Sequence, residues 1–195
     1  MRLSRLANPD PFAELSPEGR EAMRRFAESL NYWMGFSRSI SLKDLRKIWG
    51  ESPELKAWLT RHVNRPATLY FGGRVDHAED LPKVGSTFRR KGTVSHWSKE
   101  RDTSEWFAGF GGLANQEGGY LLMAKPPVGS IIVDVDAFST LAGRHRESFK
   151  SMMTKKGIDE MFSGEQYEGE VITTAINATV LEVVEKGGKP GWRNS

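Results

Sequence analysis

Apolar positions in the first third of the chain recur at helical spacing, while those in the rest come in short runs broken by glycine and proline. Met23, Phe26, Ala27, Leu30, Trp33 and Met34 form one stripe with a period near 3.6. Ser16-Pro17-Glu18 supplies a hydroxyl cap, a proline for the first helical position and an acid for the first turn. That combination predicts a helix start, and Gly35 predicts its stop. Ser41-Leu42-Lys43-Asp44 opens a second, shorter helix with Leu42, Leu45, Ile48 and Trp49 facing inward, ended by Gly50. Ser52-Pro53-Glu54 opens a third, carrying Leu55, Trp58 and Leu59. Trp33, Trp49 and Trp58 read as core side chains. Residues 1–15, with Asn8-Pro9 and Asp10-Pro11 as turn signals, read as a loosely ordered lead-in.

From Pro66 the texture is that of a sheet. Thr68-Leu69-Tyr70-Phe71 is a first strand, ended by Gly72-Gly73. Ser86-Thr87-Phe88 and Gly92-Thr93-Val94-Ser95 flank a basic turn, Arg89-Arg90-Lys91, and a short helix follows through Trp106, Phe107 and Phe110. Tyr120-Leu121-Leu122-Met123-Ala124 and Ser130-Ile131-Ile132-Val133-Asp134-Val135 read as strands, the latter fully buried. Residues 137–161 are helical or irregular, and their basic positions from Arg144 to Lys156 read as a solvated face. Glu170–Thr174 and Thr179–Val184 complete the sheet. The expected division is a helical N-terminal subdomain over 1–65, a core over 66–186 and a flexible tail over 187–195.

The 195 residues suffice for one sizeable core with a helical annex, and 38% hydrophobic with 27% charged residues is an ordinary globular balance. A net charge of +3 is compatible with an anionic ligand but does not mark a nucleic-acid binder. The absence of cysteine excludes disulfides, thiol catalysis and thiolate zinc sites, and four scattered histidines without HExxH spacing argue against a zinc hydrolase. No signal peptide or membrane span is readable, so the expected location is a cytoplasm, its own or a host's.

The candidate chemistry centres on Gly164-Glu165-Gln166-Tyr167-Glu168-Gly169-Glu170-Val171, where a polar loop becomes a β-branched strand. Glu168 and Glu170 are two residues apart, so strand alternation predicts that both point to one face. Such a pair is either a solvated strand end or two like charges held for a functional reason. Gly109-Phe110-Gly111 lacks the third glycine and strand-to-helix context of a dinucleotide fingerprint. A triad of Ser95, His96 and Glu170 can be drawn, but no Gly-x-Ser-x-Gly elbow accompanies it.

Three segments in chain order remain. They are Leu69-Tyr70-Phe71-Gly72-Gly73-Arg74, Gly92-Thr93-Val94-Ser95-His96-Trp97-Ser98 with its following helix, and Tyr167-Glu168-Gly169-Glu170-Val171. Together they resemble the arginine–serine–Glu-x-Glu signature of the mono-ADP-ribosyltransferases, the cholera-toxin-like branch of bacterial exoenzymes and phage enzymes. The resemblance covers residues 66–185. It departs from the family in two places: Phe71 rather than arginine follows Tyr70, and the serine motif reads Ser-His-Trp-Ser.

The resemblance implies an α+β fold, a mixed split β-sheet sandwich around an NAD cleft with a helical N-terminal subdomain. It implies NAD as co-substrate, no metal, and transfer of ADP-ribose with release of nicotinamide. Glu170 is then the catalytic acid at the ribose and Glu168 the group that handles the incoming nucleophile. Arg74 binds phosphate, with Tyr70 beside it. Ser95 is the better match for the hydroxyl that holds the carboxylate and ribose, and Ser98 the second. Gln166 and Tyr167 face the acceptor. Trp97 is either a nicotinamide stacker or a core residue. A Glu-x-Glu pair goes with arginine side chains of a host protein as acceptor, with RNA as a second acceptor class. Two alternatives stand beside this: an NAD glycohydrolase, and a non-enzymatic nucleic-acid- or protein-binding module on the same fold.

Overall fold

The computed structural model describes residues 9–35, 38–89, 94–109, 116–153 and 169–185, and the side chains of 32–41 are outside it. The chain forms two compact units, one of Met1–Val63 with Ala137–Glu165 and one of Asn64–Asp136 with Gln166–Ser195. The sequence-drawn boundary at 65/66 lies two residues from the structural one. The return of the chain to the helical unit after residue 136 was not foreseen.

The helical unit contains α1 (Pro17–Gly35), α2 (Arg38–Glu51), α3 (Pro53–His62), most of α5 (Val135–Arg144) and α6 (Arg146–Met152). Two of the three sequence-marked helix starts are made; α2 begins at Arg38, so Ser41 lies inside that helix and does not open it. Ser16 Oγ accepts the Gly19 amide at 3.0 Å, and Ser52 Oγ accepts the Leu55 amide at 3.2 Å. Glu54 ties the two starts together, accepting the Ser16 amide at 2.8 Å and the Ser16 hydroxyl at 2.6 Å. The stripe of Met23, Phe26 and Leu30 is buried, with Leu45, Ile48, Leu55, Trp58 and Leu59. The described part of the supposed lead-in, residues 9–15, belongs to this core. Phe12 is buried against Trp58 and Phe149, with ring centroids 5.0 and 5.4 Å apart, and the Pro11 carbonyl accepts Trp58 Nε1–H at 2.7 Å. Two prolines hid an anchoring aromatic whose partners lie dozens of residues away. No helix among the described residues is long and apolar enough to cross a membrane.

The second unit is a seven-stranded sheet: β1 (Leu69–Val75), β2 (Thr87–Arg89), β3 (Val94–Ser98), β4 (Gly118–Ala124), β5 (Ile131–Asp134), β6 (Glu170–Thr174) and β7 (Asn177–Glu185). Helix α4 (Arg101–Phe107) follows β3. The order is β2-β7-β4-β1-β3-β6-β5, and every ladder between described strands is antiparallel. The expectation of a mixed sheet is corrected here. A parallel pair needs a crossover that returns the chain to the same end. The long excursion after β5 instead starts β6 where β5 finishes, with Val171 opposite Asp134.

The core of this unit gathers Leu69, Trp97, Leu122, Ile131, Val171 and Val180 on one face of the sheet. A smaller cluster on the other face joins Leu121, Val184 and Ala108, with Tyr70 packed against it. The ladders are unequal. β1 pairs with β4 at seven positions, Leu69↔Ala124 to Val75↔Gly118, but with β3 at one, Tyr70↔Ser98.

Candidate active site

The strands that carry the three singled-out segments, β1, β3 and β6, are neighbours in the sheet. Tyr70 stands opposite Ser98, and Ser98 opposite Glu170. Residues directly opposed in a ladder project to the same face, so these three form one row across three strands. The row crosses the seam between β1 and β3, which share one paired position among the described residues. Tyr70 and Glu170 are half-buried, while Ser98 is 7% exposed. Ser98 Oγ accepts the Glu100 amide at 2.9 Å.

The structure separates the two candidate serines. Ser95 is three residues before Ser98, an odd step, so it projects to the opposite face. It pairs with Thr173, and both are buried on the side of Trp97 and Val171. Ser98, ranked second from sequence, is therefore the serine in the Glu170 row. The same alternation splits the paper triad, since Ser95 and Glu170 lie on opposite faces. Trp97 is a core residue, 2% exposed.

Gly169 has φ +67°, the left-handed region that glycine enters without strain. Strand alternation does not run through such a residue. The spacing argument that put Glu168 on the face of Glu170 therefore loses its basis at Gly169. Glu168, Gln166 and Tyr167 lie outside the described residues.

Arg74 lies on the same face of β1 as Tyr70 but is exposed and engaged elsewhere. Its guanidinium donates to the Phe107 carbonyl at 2.7 Å and to the Trp106 carbonyl at 3.1 Å, at the end of α4. Between Tyr70 and Arg74, Gly72 lets α4 approach: a Cβ there would stand 1.9 Å from the Ser104 carbonyl oxygen and 2.5 Å from the Ala108 nitrogen. Gly72-Gly73, read as the end of the strand, is thus its middle.

Several charged groups beside the row were missed from sequence. Lys99 follows Ser98, and its Nζ donates to Asp134 Oδ1 at 3.0 Å and Oδ2 at 3.1 Å, with Asp136 Oδ2 at 3.5 Å. Burial opposes the Lys99 charge, but hydrogen bonding and attraction from Asp134, and then Asp136, outweigh it and raise the pKa. Burial pushes the Asp136 carboxyl up against the pull of Lys99. Asp134 is itself fixed: its amide donates to Asn64 Oδ1 at 3.1 Å, and Asn64 Nδ2 donates to the Ile131 carbonyl at 2.9 Å. One signal was available, since an acid ending the apolar run Ile131-Ile132-Val133 needs a cation or a donor once buried. On the α4 side, Arg101 pairs with Glu105 and Glu182. Burial raises the Glu182 pKa more than Arg101 lowers it.

No protein-family model matches the chain, and neither does any curated protein or solved structure.

Proposed function

We propose that the protein is an NAD-dependent mono-ADP-ribosyltransferase whose acceptor is the guanidinium group of a protein arginine. The observation that carries this reading is the Tyr70–Ser98–Glu170 row. Three segments far apart in sequence, picked out by their resemblance to that enzyme class, lie on adjacent strands with a carboxylate, a hydroxyl and a phenol on one face. The half-buried setting of Glu170 beside a buried serine suits a carboxylate that acts on a developing positive charge.

In this reading the bond between ribose C1′ and the nicotinamide nitrogen breaks, and its electron pair neutralises the pyridinium. The ribose then carries oxocarbenium character, as in glycoside hydrolysis. Glu170 stabilises that charge and accepts a hydrogen bond from the ribose 2′-hydroxyl. Ser98 orients the carboxylate, and the Tyr70 ring offers an aromatic surface beside it. A guanidinium nitrogen attacks C1′ and gives its proton to a base, the part assigned to Glu168.

Nicotinamide release from NAD tests the reading, using wild type and Glu170→Gln, with agmatine as a soluble guanidine acceptor. Wild type is expected to release nicotinamide and label agmatine. Glu170→Gln is expected to lose about 10²–10³-fold in kcat with an unchanged melting temperature. Release without labelling of agmatine or of lysate protein would make the enzyme a glycohydrolase. No release from folded wild type overturns both enzyme readings in favour of a binding module.

A further inference from the structure

The start of β6 is strapped from both sides. In the sheet β6 lies between β3 and β5. Lys99, the residue after β3, spans that gap twice. Its backbone amide donates to the Gly169 carbonyl at 2.9 Å, immediately before Glu170. Its ammonium reaches Asp134 at the end of β5, at 3.0 Å, and Asp136 just beyond it, at 3.5 Å. The far end of the strap does not move freely, because Asp134 is buried and its amide is held by the buried Asn64 side chain. The near end is equally confined: a Cβ on Gly169 would stand 3.2 Å from the Lys99 nitrogen and 3.3 Å from Lys99 Cβ.

We propose that Lys99 is a positioning residue for Glu170: by bridging β3 to β5 over the entry of β6, its side chain fixes where the acid emerges from the sheet. The inference rests on the reading of Glu170 as the catalytic acid. The ladder alone does not achieve this, because the left-handed Gly169 ends regular pairing one residue before Glu170. A carboxylate on the first residue of a strand would otherwise share the fraying of that end. A partly buried ion pair such as this is a modest source of net stability, since desolvation cancels much of its attraction, but it is suited to fixing a register. Two acids, Asp134 and Asp136, share this one lysine, so loss of the ammonium also leaves them repelling each other.

The test compares wild type with Lys99→Arg, Lys99→Met and the double variant Lys99→Met/Asp134→Asn. The double variant avoids leaving a buried carboxylate without its cation, so it keeps the experiment decisive if Lys99→Met fails to fold. Two readouts are taken: hydrogen exchange at the amides of Gly169, Glu170 and Val171, and the kinetics of nicotinamide release. In the double variant, exchange at these amides is expected to quicken about tenfold while the other strands keep their protection. kcat is expected to fall about 10–100-fold with KM within about twofold. Lys99→Arg, which can pair with both Asp134 oxygens, is expected to restore both readouts. Unchanged exchange at 169–171 in the double variant overturns the proposal, as does a uniform rise over the whole sheet, which marks a purely structural ion pair. Absence of nicotinamide release in wild type overturns the reading of Glu170 instead, and the exchange data then still decide whether the strap exists.

Discussion

The two units bury different kinds of side chain. Among the described residues the helical unit buries one polar side chain, Asn31, whereas the sheet unit buries six: Asn64, Ser95, Ser98, Ser104, Asp134 and Thr173. Each such group costs about 1–3 kcal/mol if left without a partner, so a unit that carries six must hold them in defined geometry. The helical unit instead fills its interior with aromatic rings, Phe12, Phe26, Trp58, Phe138 and Phe149. The contrast distinguishes a part whose side chains chiefly stabilise from a part whose side chains chiefly hold chemical groups in place.

The sharpest way to break that distinction is Phe12→Ala. Removing a fully buried ring from the aromatic cluster should cost about 3–5 kcal/mol in denaturant unfolding. Nicotinamide release per folded molecule should not change. A fall in release under conditions where the variant is folded would mean that the helical unit shapes the site.

Gly72→Ala probes the other side with a smaller effect. The added Cβ meets backbone atoms of α4, which cannot swing aside as a side chain can. A loss of about 1–3 kcal/mol is expected, with a shift of the α4 signals in NMR. A variant as stable as wild type would show that α4 is not pressed against β1.

The smallest effect is in the response to acid, where the two units have opposite signs. In the helical unit Glu14, hydrogen-bonded by His62, and Glu54, hydrogen-bonded by Ser16, have lowered pKa values. What they contribute is present above the unfolded value, about 4.3, and is lost as pH falls through the lower folded value. In the sheet unit burial raises Asp136 and Glu182. Between their unfolded values, about 3.9 and 4.3, and the raised folded ones, the folded chain binds more protons, so their contribution improves as pH falls. Hydrogen exchange at pH 6 and 3.5, corrected for intrinsic rates, should therefore show protection lost first around Ser16 and Glu54. Equal loss in both units would remove this part of the contrast.

What could be read from sequence follows the range of each interaction. Caps act over three residues, and Ser16 and Ser52 announced α1 and α3 correctly. Buried strands act through local composition, and Ile131-Ile132-Val133 announced β5. The order of the two serines depends on ladder register, which the turn at Gly169 and the pairing of β3 with β6 decide; neither is written in the serine motif itself. The resemblance makes Arg74 a phosphate binder, but its geometry is set by the carbonyls of α4, a partner more than thirty residues away. A lone lysine after a strand looks solvated in sequence until the strand order brings Asp134 beside Lys99.

The single pairing between β1 and β3 also has a mechanical meaning. A load that separates two strands must break their hydrogen bonds, and the β1–β4 ladder, paired at seven positions, resists along its whole length. At the seam it would meet one paired position, and most of the resistance would come from hydrocarbon: Phe71 against Trp97, with ring centroids 5.8 Å apart. Side chains in contact can slide and repack where a ladder can only snap. Under strain the sheet is therefore expected to flex along a line that passes between Tyr70 on one side and Ser98 and Glu170 on the other, much as a panel bends at its scored crease.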